Sequence, residues 1–229
     1  MNGATPTTIL FDLDGTLIDS VDLILASYRH TLRVHRSVDL PPEHFRPGLG
    51  RPLLEQLGSV TSDEAELAAM VETYRAHNHE HHDGAVRAYP GVVSALGALT
   101  RSGVALGIVT SKNAATAWRG LECCGLAEHF AVLVGSDDVE RHKPDPAPVL
   151  AAVERLASAR ERTVFVGDSP QDLRAGRRAG VRTAAAAWGP FAPAELEAEG
   201  PDAWLEAPAA IPGLLGTALR RTRARSPGT

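Results

Sequence analysis

Two cysteines are all that the 229 residues contain, and they are adjacent, Cys123 and Cys124. Neighbouring Cα atoms lie about 3.8 Å apart, short of the ordinary span of a disulfide. A disulfide scaffold is excluded, and the pair is expected to pack as small hydrophobes in a helix. No apolar run approaches the roughly 20 residues of a membrane-spanning helix. The start, MNGATPTTIL, has neither the basic n-region nor the long apolar stretch of a signal peptide. An excess of positive charge is missing too. The net charge of −5 and pI near 6.0 offer no general surface for nucleic acid or an anionic membrane. The one basic cluster, RRTRARSPGT at 220–229, reads as a solvated, frayed tail. Repeats and low-complexity tracts are absent apart from alanine enrichment, and nothing marks a particular oligomeric state. What remains is the expectation of a cytoplasmic protein with no nucleic-acid or membrane partner, 44% hydrophobic and able to bury a sizeable core.

Against these absences stands an alternation of strand and helix signals over the C-terminal two-thirds. TTILFDLD, ALGIVTS, AVLVGS, TVFVGDS and RTAAAAW read as buried strands. Helices are predicted at Val92–Leu99, Asn113–Cys124, Pro146–Leu156 and Pro170–Ala179, several with Pro near the start and Gly just past the end. This order predicts an α/β core, a mostly parallel sheet with helices on both faces. Residues 19–86 contain no convincing strand. Val21, Ile24, Leu25, Tyr28 and Leu32 form one helical stripe. Thr61 and Glu64 have the spacing of a capping box for a second helix with Leu67, Met70, Val71 and Tyr74 on its apolar face. Pro41, Pro42, Pro47, Gly48 and Gly50 break the chain between them. An all-helical insert is therefore expected over the sheet.

Ligands of open parallel sheets sit beyond the carboxyl ends of the strands. Polar groups gather at four such places: Asp12-Leu13-Asp14-Gly15-Thr16, then Thr110-Ser111-Lys112, then Lys143-Pro144, and Gly167-Asp168-Ser169-Pro170-Gln171-Asp172. Convergence of Asp12, Asp14, Asp168 and Asp172 would place several negative charges in one pocket, which requires a cation. Oxygen-only ligands select a hard ion, and Mg²⁺ fits. The charge of Lys143 and the hydroxyl of Thr110 suit a phosphoryl group, and a carboxylate nucleophile is one known route for its transfer.

FDLDGTLIDS, IVTSK, KPDP and VGDSPQD together resemble the four motifs of the haloacid dehalogenase superfamily of phosphohydrolases, over nearly the whole chain. The resemblance implies a Rossmann-like core of residues 1–17 and 88–229 with a helical cap of 18–87. It implies Asp12 as the nucleophile and Asp14 as the group that protonates the leaving group and then activates water. Asp12, Asp168 and the Asp14 carbonyl would ligate Mg²⁺, with Asp172 in the surroundings or bound through water. Thr110 and backbone amides near Leu13, Asp14 and Ser111 would hold the phosphate, Lys143 would link nucleophile and phosphate, and Gly15 would permit the turn out of the strand. The dehalogenases of the superfamily lack the second aspartate of D-x-D, so Asp14 points to phosphate chemistry.

Substrate choice is expected from the cap. YRAHNHEHHDGAVRAYPGV, 74–92, and PGLGRPLLEQL, 47–57, resemble the bacterial inorganic pyrophosphatases of this superfamily, relatives of its phosphoglycolate phosphatases. Within the second segment Arg51 is the candidate substrate contact, since a guanidinium pairs well with phosphate or carboxylate. The expectation is a Mg²⁺-dependent phosphohydrolase of a small phosphorylated substrate, inorganic pyrophosphate or 2-phosphoglycolate. The alternatives are a sugar-phosphate phosphomutase, a broad-specificity phosphomonoesterase, and a non-enzymatic phospho-acceptor. On one helix His77 and His81 share a face, as do His79 and His82, so two-point metal ligation is geometrically open. The helix end and the hinge that follows it explain these residues more simply.

Overall fold

A computed structural model describes residues 5–216; the basic tail at 220–229 lies outside them. The first strand, β1 (Thr8–Phe11), is short, apolar and wholly buried, which suits a strand flanked on both sides. A two-residue strand, β2 (Ile18–Asp19), leads into three helices, α1 (Val21–Arg36), α2 (Leu53–Gly58) and α3 (Glu64–Ala85). Strand β3 (Arg87–Ala88) returns antiparallel to β2, pairing Ile18 with Ala88 and Asp19 with Arg87. The two chain crossings between sheet and insert are thus stitched together. Then follow α4 (Val92–Arg101), β4 (Ala105–Val109), α5 (Ala114–Cys123), β5 (Val132–Val134), α6 (Ala147–Arg155), β6 (Thr163–Gly167), α7 (Pro170–Ala179), β7 (Arg182–Ala186), α8 (Pro193–Glu197) and β8 (Ala203–Leu205).

Six strands form one parallel sheet in the order β5-β4-β1-β6-β7-β8. Period-two alternation divides each strand between two layers. Ile9 and Phe11 of β1, with Val164 and Val166 of β6, face a cluster closed by Leu96 and Leu99 of α4 and Leu121 of α5. Leu10 and Phe165 face the opposite cluster, closed by Val149 and Val153 of α6 and Ala175 of α7. The sandwich buries the sheet on both faces and leaves its carboxyl edge as the place where polar side chains gather.

The insert has its own core. Leu25, Tyr28 and Leu32 of α1 meet Met70, Val71 and Tyr74 of α3, and Tyr28 packs against Tyr74 with ring centroids 4.7 Å apart. The start of α3 differs from the Thr61–Glu64 expectation. Asp63 is the N-cap, accepting the Glu66 N–H at 2.9 Å, while the Thr61 hydroxyl bonds the Glu66 carboxylate at 2.6 Å. Asp caps as well as Thr, and D-x-x-E two residues on offers the same reciprocal spacing. The cysteines differ too: Cys123 ends α5 exposed, and only Cys124, half-buried, packs against the core. The segment after β7 touches both parts. Trp188 donates its indole N–H to the Thr16 carbonyl at 2.9 Å, and Phe191 packs against the insert's core as well as against Leu173 and Leu196. Strand β8 was not expected, because three residues make no apolar run. No helix among the described residues is long and apolar enough to cross a membrane.

Candidate active site

Asp12 follows the central strand directly, its N–H held by the Val166 carbonyl at 2.9 Å, so the carboxylate leaves the sheet edge in a fixed direction. Lys143 comes from the loop before α6. Its ammonium lies 3.0 Å from Asp12 Oδ1 and 2.6 Å from Asp172 Oδ1, and it donates to the Val109 carbonyl at 3.3 Å. All three side chains are buried. Asp172 does double duty on the first turn of α7. Its second oxygen accepts the Ser169 N–H at 3.0 Å and the Ser169 hydroxyl at 2.6 Å, closing a capping box. Asp172 thus positions Lys143 and the start of α7 together.

Asp168 ends β6 buried, and the Thr16 hydroxyl donates to its Oδ1 at 2.5 Å. Space for this carboxylate depends on two glycines. A Cβ on Gly15, whose φ is +83°, would fall 2.6 Å from Asp168 Oδ2, and one on Gly189 would fall 2.4 Å from Asp168 Cβ. Gly15 gives its N–H to the Ile18 carbonyl at 2.9 Å, so it serves the turn and the acid's room. Oxygens of Asp12, Asp168 and Asp172 lie within 4.8 Å of one another. Burial, then the charge of Asp172, raises the Asp12 pKa to about 7 against the pull of Lys143. Burial, then Asp12 and Asp172, drives Asp168 well upward. Burial would depress Lys143, but Asp12 and Asp172 more than offset it, and its pKa is raised. Three buried carboxylates against one ammonium form a hard-oxygen set short of positive charge, which fits a small divalent cation such as Mg²⁺.

Asp14 turns away from this trio. Its Oδ1 accepts from the Ser20 hydroxyl and from the Lys112 ammonium. Sequence reasoning placed Lys112 at a strand end but gave it no role. Its available signal was rarity, since only two of the 23 lysines and arginines are lysine. Thr110 is buried at the end of β4, and its hydroxyl accepts the Lys112 N–H at 3.2 Å. It does not cap α5; Asn113 does, accepting the Thr116 N–H at 2.9 Å. Ser111 donates its hydroxyl to the Gly50 carbonyl at 2.7 Å, tying the insert's loop to the sheet edge. Leu13 is a core side chain, so only its backbone can serve a ligand.

Above the acids opens a cavity of about 720 Å³. Asp12, Asp14, Thr110 and Asp168 line its floor, while Tyr28, Leu49, Arg51 and Asn78 of the insert line its roof. Arg51 is exposed and its guanidinium has no partner among the described residues. The histidines separate: His30, His77 and His81 stack at centroid distances of 4.5 and 4.4 Å between α1 and α3. His82 is buried at the cavity wall with Nδ1 2.9 Å from Asp83 Oδ1 and Nε2 unpartnered. His82, Asp83 and Cys123 approach metal-ligand spacing, but Arg119 Nε already occupies the Asp83 carboxylate at 3.1 Å.

Residues 9–186 match the model of the haloacid dehalogenase-like hydrolases. Pyrophosphatase PpaX of Bacillus velezensis is 42% identical over 200 residues, covering 87% of this chain and 92% of that protein. Pyrophosphatase PpaX of Anoxybacillus flavithermus is 38% identical over 213 residues, 93% of this chain and 98% of that one. Among solved structures, a hydrolase from Pseudomonas syringae superposes with a TM-score of 0.80 at 26% identity, covering 89% of this chain and 94% of that chain. The family model spans most of the chain and the relatives match over most of both lengths, and the chain belongs to the haloacid dehalogenase-like hydrolases.

Proposed function

We propose that the chain is a Mg²⁺-dependent phosphohydrolase that works through a phosphorylated Asp12, with inorganic pyrophosphate as its first candidate substrate and 2-phosphoglycolate as its second. The buried Asp12–Lys143–Asp172 contact beneath a large cavity carries this reading. Overall likeness to pyrophosphatases at about 40% identity over most of both chains supports the order of substrates. The same reading divides the chain into a core of 1–17 and 88–229 and a cap of 18–87. It places Asp12, Asp168 and the Asp14 carbonyl around Mg²⁺, with Asp172 alongside.

In the first step an Asp12 oxygen attacks phosphorus, the bond to the leaving oxygen breaks, and the leaving group carries away the electron pair, taking a proton from Asp14 where it departs as an alkoxide. Lys143 holds Asp12 in place and faces the transferring charge without having to move. Thr110 and the backbone amides after β1 and β4 orient the phosphoryl oxygens. In the second step Asp14 takes a proton from water, the hydroxide attacks the phosphorylated Asp12, and inorganic phosphate leaves with the carboxylate restored. Mg²⁺ bound among the carboxylates would balance their charge and polarise a phosphoryl oxygen. The cap covers the site and keeps bulk water from the acyl phosphate.

The test is phosphate release with Mg²⁺ from pyrophosphate, 2-phosphoglycolate and a panel of sugar phosphates, compared as kcat/KM. Turnover highest on pyrophosphate is expected. Background rates on the whole panel would sink the proposal.

A further inference from the structure

Of the 23 basic residues only Lys112 and Lys143 are lysines; arginine fills every other position. The ordinary surface and pairing roles of a cation are therefore met by guanidinium throughout. Lysine is kept where a compact ammonium does what a planar fork cannot. Lys143 is such a place, buried between Asp12 and Asp172. Lys112 is the other. It sits after β4, 15% exposed, on the cavity wall, with its ammonium against Asp14. The chain's two lysines thus stand on the two acids of D-x-D.

Asp14 Oδ1 accepts from both Ser20 and Lys112, so that oxygen is an acceptor and carries no proton. The contact uses one of three ammonium donors, and the other two have no partner among the described residues. Beyond Lys112 the cavity wall continues to Arg119, whose Nη1 donates to the His79 carbonyl at 3.2 Å, and to Asn78. Positive charge is therefore delivered beside the acid that, in the proposed reaction, handles the leaving group.

We propose that Lys112 binds the leaving group as an anion and so selects phosphoanhydrides over alkyl phosphate esters. This rests on the hydrolase reading of Asp12 and Asp14. An alkoxide needs a proton in order to depart. The phosphate expelled from an anhydride is stable as an anion near neutral pH and needs a cation at its oxygens instead. The Asp12–phosphorus bond forms as the bridging P–O bond breaks, and the electron pair stays on the bridging oxygen. Lys112 neutralises the departing phosphate. One water then releases the second phosphate, its proton passing through Asp14 to solvent.

Lys112→Met and Lys112→Arg, compared with wild type on pyrophosphate, p-nitrophenyl phosphate and 2-phosphoglycolate, test this. The nitrophenolate leaves readily without a proton but offers no second phosphoryl group. Lys112→Met is expected to lose about 100-fold in kcat/KM on pyrophosphate and less than about 10-fold on the other two. Lys112→Arg should recover part of the preference. Unchanged circular dichroism and thermal midpoint serve as the folding check, and Lys112→Gln replaces Lys112→Met should the latter be insoluble. An equal loss on all three substrates would overturn the proposal and make Lys112 only a support for Asp14. Wild-type turnover of p-nitrophenyl phosphate without pyrophosphate turnover would also overturn it while leaving the hydrolase reading standing. Background rates of the wild type on all three substrates would instead remove the hydrolase reading itself.

Discussion

The floor and the roof of the cavity are built on opposite electrostatic plans. On the floor every charged side chain is held by a neighbour: Lys143 holds Asp12 and Asp172, the neutral Thr16 hydroxyl holds Asp168, and Lys112 with Ser20 holds Asp14. These groups are buried or nearly so, and their supports are backbone, a helix cap and neighbouring strands. On the roof Arg51 is exposed and unpaired, and the wall beside it is largely apolar, with Tyr28, Leu49 and Leu53. A fixed floor gives a preorganised reaction, because dipoles and charges already stand where charge develops. The roof is carried on the insert's own core and presents a guanidinium that can be changed without disturbing the floor.

The largest expected difference between the two regions comes from Asp12→Asn. The amide is nearly isosteric but no nucleophile, so kcat should fall by roughly 10⁴-fold or more with unchanged circular dichroism. Residual turnover above about one per cent would remove Asp12 from its role. Lys143→Ala comes next and strikes both rate and fold. It leaves Asp12, Asp168 and Asp172 together in a buried site without their cation, and breaking such a set costs on the order of 3 kcal/mol. Urea unfolding should show that loss, together with a kcat reduced by at least about 100-fold. Added Mg²⁺ should return part of the stability but little of the rate. An unchanged unfolding midpoint would mean that the floor does not depend on its lysine.

Arg51→Ala tests the roof. With no partner to lose, it should leave thermal stability unchanged while raising KM for pyrophosphate roughly tenfold and altering kcat little. A fall in kcat as large as that of Lys143→Ala would erase the distinction between floor and roof.

The same division explains what was legible in the sequence. An apolar strand running into D-x-D, and a second strand running into Gly-Asp-Ser-Pro, can be read because burial and strand ends are local properties. The Lys143–Asp172 contact joins residues 29 positions apart, so no local pattern shows the acid as the lysine's second partner. Lys112 stands at a strand end where only its rarity sets it apart, because its partner Asp14 lies 98 positions away. The Ser111–Gly50 clasp and the packing of Phe191 against the insert are tertiary, and no local pattern announces them. In the insert, two adjacent capping signals competed and the later one prevailed. His77 and His81 were visible as a helical pair, but the third ring, His30, arrives from α1 only through packing.

That stack gives the smallest expected effect and the one most specific to the insert. Burial lowers the pKa of His77, the neighbouring His30 and His81 and the nearby Arg33 lower it further, and Glu80 opposes them. The folded insert therefore resists taking up a proton that the unfolded chain accepts near pH 6.5. Its contribution to stability is fully present above that value and is lost as the pH falls through it toward the depressed folded value. Hydrogen-exchange protection of α1 and α3, corrected for the intrinsic rate, should decline between pH 7.5 and 5.5 while that of β1 and β6 holds. His77→Gln keeps a polar partner for Ser27, now 3.1 Å from His77 Nδ1, and removes the titrating ring. It should flatten the decline in the insert alone. Equal declines in wild type and variant would show that the stacked rings carry no share of the pH dependence, and that the insert and the core respond to acid through other groups.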